Sequence, residues 1–241
     1  MNKFESKNYI FNYTDNPIVK NDINKIVSTQ EICFQHICNV LEVKMNSKIN
    51  YYLCNSPKEV GEIYGDNEPC NGFACKMDKI YAVYNEHLKC IGFHEDAHII
   101  SYNTLGIPPQ TFIREALAMY FDKAYWGISN YHWVSYFIKN NFYINIEKLI
   151  DNNIFYKNNH VITYTTGGAF LDYLISLFGI NKFKNFYTNL NEENFESSFL
   201  SVYNISLNEA ENKFLNYIKV LKSSDDINNL IISYCKDLNI K

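Results

Sequence analysis

At 241 residues the chain is long enough for one large domain or two small lobes with a substantial core. A hydrophobic share of 47% against 20% charged residues excludes a disordered chain. A net charge of −4, with Arg114 as the sole arginine, speaks against a nucleic-acid binder, because phosphate grips favour arginine.

Residues 8–13 alternate weakly, are rich in aromatics and predict a first strand, ended by Asn16-Pro17. A long helix is expected over 21–43. Ile23, Ile26, Val27, Phe34, Ile37, Cys38 and Leu41 fall on one face there, and Gln30 is the one polar slot in that stripe. Residues 48–54 read as a strand. Ser56 and Pro57 then supply the N-cap and first position of a short helix. Residues 73–75 and 79–84 read as two short strands about a turn at Met77-Asp78.

The pattern changes after Asn85, and no further strand is expected. Helices are predicted over 87–102, 109–125, 131–139, 163–178, 181–189, 206–221 and 226–237, the first stopped by Asn103, Gly106 and Pro108-Pro109. The expected class is α+β. A small mixed lobe (1–86) with an antiparallel-edged sheet precedes a mostly helical lobe (87–241), and the two form one catalytic unit with the active-site cleft between them.

Residues 1–13 lack the apolar run of a signal peptide, and no stretch approaches 18 apolar residues, so no membrane segment is expected. The seven cysteines are scattered, odd in number and without C-x-x-C. They read as reduced thiols of a cytoplasmic protein, with Cys70 and Cys75 near enough in sequence to bridge.

The chemistry lies in His94-Glu95-Asp96-Ala97-His98, an H-E-x-x-H motif. Residues four apart on a helix point nearly the same way, so His94 and His98 can grip one Zn²⁺. Glu95, turned about 100° from His94, is within reach of a water activated there and is the expected general base.

A catalytic zinc wants three protein ligands and one open position. The extended pattern ending in a third histidine is excluded, since Ser101 and Thr104 occupy its glycine and histidine slots. Glu115 fits as the third ligand, on a helix that follows after a turn. That helix carries Ile113, Ala116, Leu117, Tyr120, Phe121 and Ala124 on one side and Phe112 and Met119 on the other. A helix apolar nearly all round is buried, and a buried carboxylate needs a cation. Zinc is the expected one; Arg114 or Lys123 would make an ordinary ion pair. Asp122, seven residues on, is either a carboxylate steadying a ligand histidine or a solvated residue.

Together, His94-Glu95-Asp96-Ala97-His98 and Phe112-Ile113-Arg114-Glu115-Ala116-Leu117-Ala118-Met119-Tyr120-Phe121 resemble the two-motif signature of the gluzincin zinc metallopeptidases. The likeness is nearest to the peptidase MA-like group, whose logic the thermolysin-type peptidases and zinc aminopeptidases share. Residues 164–174, with Tyr164 ahead of Gly167-Gly168, are similar to that group's Tyr-x-x-Gly helix start, and residues 30–53 to its N-terminal helix and strand. The chain departs from the aminopeptidases in lacking a G-x-M-E-N strand before His94 and in carrying Arg114 where they usually have Asn.

The resemblance implies hydrolysis of a peptide or protein substrate. His94, His98 and Glu115 would be the metal ligands, and Tyr164, with His160 as the alternative, would stabilise the oxyanion. It also implies that an edge strand of the first lobe pairs with the extended substrate, 79–84 by preference or 73–75. His36, His87 and His132 have no partner pattern and are taken as structural or exposed. The reading from another class is a pseudo-peptidase that keeps zinc for a regulatory or interaction role.

Overall fold

The computed structural model describes residues 1–238 and 240. It is α+β and divides into two compact units, Met1–Gly106 and Ile107–Lys241. The division falls twenty residues beyond the change in sequence pattern, so the helix bearing the H-E-x-x-H motif belongs to the first unit.

The first unit is built on a five-stranded sheet. Its strands are β1 (Asn2–Glu5), β2 (Tyr9–Tyr13), β3 (Ile49–Cys54), β4 (Gly72–Cys75) and β5 (Lys79–Val83), in the order β1-β2-β3-β5-β4. β2, β3 and β5 run parallel, while β1 and β4 pair antiparallel at the two edges. Parallel neighbours need a crossover. Helix α1 (Pro17–Leu41) supplies it between β2 and β3, and α2 (Pro57–Tyr64) between β3 and β5.

Two sequence expectations are corrected here. The N-terminal segment forms two strands rather than one. Residues 79–83, preferred as the open edge, are paired on both sides, so the edge falls to β4.

Asn16 caps α1 by accepting from the backbone N–H of Ile18 at 2.9 Å, with Pro17 in the first turn, where a missing N–H costs nothing. The helix therefore starts four residues before the periodicity suggested. Ser56 caps α2 as expected, accepting from Glu59 N at 3.2 Å. One face of the sheet buries Tyr9, Phe11, Ile49, Tyr51, Leu53, Ile80 and Ala82. α1 lies against this face, with Phe34 meeting the Tyr9 ring edge-on at 5.9 Å.

The helix expected from residue 87 begins seven residues later, as α3 (His94–Thr104). Asn85 is the reason: its side-chain oxygen accepts from the N–H groups of His87 and Leu88 at 2.9 and 2.8 Å, closing a turn. Gly92, at φ +149°, then bends the chain into the helix. At the far end Asn103 donates to Met77 O at 2.6 Å, tying α3 to the turn between β4 and β5.

The second unit is helical apart from a short hairpin of β6 (Ala124–Tyr125) and β7 (Ile128–Ser129), which the sequence reading did not expect. Trp126 and Gly127 both have positive φ in its two-residue loop. Nine helices are described in this unit. They are α4 (Thr111–Asp122), α5 (Asn130–Lys139), α6 (Ile146–Leu149), α7 (Asn152–Lys157), α8 (His160–Phe178), α9 (Ile180–Thr188), α10 (Phe195–Tyr203), α11 (Leu207–Val220) and α12 (Asp225–Asp237).

The unit is organised about α8, capped by Asn159, which accepts from Val161 N at 2.9 Å. Gly167 and Gly168 lie in the middle of this helix, not at its start. Cβ atoms built there would meet Ala116 at 3.1 Å and Met119 at 2.6 Å. The glycines are where α4 and α8 come close.

α8 has the length and composition of a membrane-crossing helix, with a mean hydropathy of 1.2 that the count of apolar residues had not flagged. Core helices pass the same test, and 61% of its apolar window is buried inside the protein. All seven cysteines are free thiols, Cys70 and Cys75 included.

Candidate metal centre

His94 is the first residue of α3 and His98 stands one turn on. Their rings are 5.1 Å apart and nearly perpendicular, at 81°. His98 is 6% exposed and His94 half-buried. The Tyr102 hydroxyl lies 3.2 Å from His98 Nδ1, another turn along the same face. With Nδ1 engaged there, Nε2 is the nitrogen left to hold a metal. Glu95 falls in the first turn, where negative charge suits the positive end of the helix dipole.

Asp96 has a different setting from its neighbours. It is fully buried, and its Oδ2 accepts from the Tyr9 hydroxyl and, at 2.9 Å, from Gln30 Nε2. The same Nε2 lies 3.1 Å from Gly92 O, just ahead of α3. Burial pushes the Asp96 carboxyl well above its ordinary range, and these hydrogen bonds oppose that shift. Gln30, the polar slot in the apolar stripe of α1, is thus buried because it serves α3.

α4 is buried on nearly all sides, as its sequence implied, through Phe112, Ile113, Ala116, Leu117, Ala118, Met119 and Phe121. Glu115 is half-buried on it. Arg114 donates to Pro108 O at 2.7 Å, to Pro109 O at 3.0 Å and to Thr111 Oγ1 at 2.8 Å, holding the loop that leads into the helix. Lys123 pairs with Asp172 at 2.7 Å and sits 3.6 Å from the centre of the Tyr120 ring. Both cations weighed against a metal as partners of Glu115 are therefore engaged in these other bonds. Asp122 is the half-buried last residue of α4.

One ligand atom from each of His94, His98 and Glu115 lies within 4.8 Å of the other two. Donors about 2.1 Å from a tetrahedral zinc stand roughly 3.4 Å apart, within that 4.8 Å bound. Two imidazoles and one carboxylate are also the donor chemistry of an open, catalytic zinc site rather than of a closed structural one. The residues present fit the ion.

Tyr164 stands in the second turn of α8, half-buried, stacked on Phe155 at 5.8 Å and edge-on to His160 at 6.0 Å. His160 Nε2 is 2.8 Å from the Tyr125 hydroxyl. Desolvation holds that imidazole below its ordinary pKa and pushes the Tyr125 phenol up to about 12. His36 meets the Phe93 ring at 5.5 Å, and His87 is exposed.

Two contributors escaped the sequence reading. Tyr102 was detectable from the i, i+4 spacing that runs 94, 98, 102. Asp96 carried no signal of its own; its partners Tyr9 and Gln30 lie 87 and 66 residues away. Comparisons with protein-family models and with curated proteins found no match to this chain.

Proposed function

We propose that the chain is a zinc-dependent metallopeptidase of the gluzincin kind, hydrolysing amide bonds of peptide or protein substrates. The observation that carries this reading is the grouping of His94, His98 and Glu115 within 4.8 Å, with Glu95 next in sequence to the first ligand. When bound, zinc would supply Lewis acidity, polarising a carbonyl and acidifying water.

The chain's own groups do the rest. The Glu95 carboxylate takes the proton of the attacking water and returns it to the leaving amine. The Tyr164 hydroxyl donates to the oxygen on which negative charge develops, with His160 the alternative donor. Seven free thiols suit a reducing compartment, and we place the protein in the cytoplasm on that ground.

The test is cleavage of a diverse peptide library, read by mass spectrometry, with wild type beside Glu95→Gln. Cuts made only by the wild type establish the activity and separate end-trimming from internal cleavage. Stoichiometric zinc with no cuts by either protein would replace this reading with a processing protease of narrow specificity or a zinc-binding pseudo-peptidase.

A further inference from the structure

Asp96 is the buried acid for which the proposed chemistry has no use. Steps of about 100° per residue place it about 200° past His94 and 160° from His98, on the opposite side of α3 from the pair. What holds Asp96 therefore sets how α3 is turned about its axis. Its two partners come from different elements, Tyr9 from β2 and Gln30 from α1. Gln30 also takes Gly92 O at 3.1 Å, so one side chain fixes both the back of the helix and its point of entry. The Tyr9 hydroxyl lies 3.0 Å from Gln30 O, which closes the group of three.

Stability alone is a poor account of this arrangement. Burying a carboxylic acid and an amide costs more than burying apolar side chains of the same volume, and such groups are often replaced without loss. Asp96 Oδ1 and Gln30 Oε1 are buried without hydrogen-bond partners, a further cost. What directional bonds supply, and apolar packing does not, is a fixed rotation and register.

We propose that Asp96 is a positioning residue, held by Tyr9 and Gln30 so that the opposite face of α3 aims His94 and His98 at a common metal ion. The inference rests on the metal-site reading above and concerns the aim of the ligands, not the chemistry.

The probe is Co²⁺ added to metal-free protein. Its visible absorption bands report coordination geometry, and competition against a chelator reports affinity. Wild type is compared with Asp96→Ala and Asp96→Asn at a temperature where each is folded by circular dichroism. Asp96→Ala is expected to bind Co²⁺ about tenfold or more weakly with altered bands, the range for outer partners of metal ligands. Asp96→Asn keeps an oxygen that can accept from both Tyr9 and Gln30, so it is expected to recover most of the affinity and the wild-type bands.

A folded Asp96→Ala protein with wild-type bands and affinity would overturn the proposal while leaving the metal site intact. If Asp96→Ala does not fold, Tyr9→Phe is read in the same way. It removes one donor and keeps the ring against Phe11 and Phe34. Wild-type protein that takes up no Co²⁺ would overturn the metal-site reading and this inference with it.

Discussion

The Tyr102 hydroxyl approaches His98 Nδ1 at 3.2 Å from the next turn of the same helix. A ring nitrogen engaged on one side fixes the ring plane and the tautomer presented on the other. Tyr102→Phe deletes only that oxygen and keeps the ring, which packs 5.5 Å from the imidazole. Zinc affinity measured against a chromophoric chelator is expected to fall about tenfold with folding unchanged. Equal affinity would reduce Tyr102 to a packing residue.

Glu115 supplies the only carboxylate of the grouped donors. Glu115→Ala leaves two imidazoles, too few to retain zinc at nanomolar, chelator-buffered levels. Because an ion that binds the folded state raises its stability, zinc should lift the melting temperature of the wild type and not that of Glu115→Ala. Full zinc occupancy in the variant would remove Glu115 from the ligand set.

The H-E-x-x-H motif and the all-round apolar character of residues 112–121 were legible because each is a local pattern read over a few helical turns. The parallel core of the sheet was not, since the pairing of β2 with β3 and of β3 with β5 joins residues tens of positions apart. The start of α3 was misplaced for a local reason: the Asn85 side chain closes its turn with two backbone N–H groups, an alternative to helix that periodicity does not register. Gln30 shows the limit well. As a sequence it is a flaw in an apolar stripe; in the fold it is a bond to Asp96 and to the chain entering α3.

Tyr164 offers a separation of chemistry from packing. Its ring is stacked on Phe155, and Tyr164→Phe preserves that stack while removing the hydroxyl proposed to donate to the oxyanion. Loss of a single such donor costs on the order of 10²-fold in kcat. The expected result is that fall in kcat with KM and melting temperature nearly unchanged. Unchanged turnover would transfer the role to His160 or to another donor, and His160→Gln is the variant to compare.

Gly168 tests the closeness of α4 and α8. A Cβ built there would stand 2.5 Å from Asn130 Nδ2 and 2.6 Å from Met119 Cβ. That Asn130 amide is itself buried and donates to Met119 O at 3.0 Å, near the end of α4. Replacing a mid-helix glycine by alanine ordinarily gains about 1 kcal/mol of helix propensity. Here the added methyl must displace both the amide, breaking a buried hydrogen bond, and Met119 Cβ, which moves only with the backbone of α4. Overpacking of this kind costs about 1–3 kcal/mol, and the lost bond about 1 kcal/mol more. Gly168→Ala is therefore expected to lower the urea midpoint with an unchanged slope. Gly167→Ala, facing Ala116 Cβ at 3.1 Å, should lower it less. A higher midpoint for Gly168→Ala would mean that the two helices can separate by about 1 Å without penalty, and that propensity outweighs the contact.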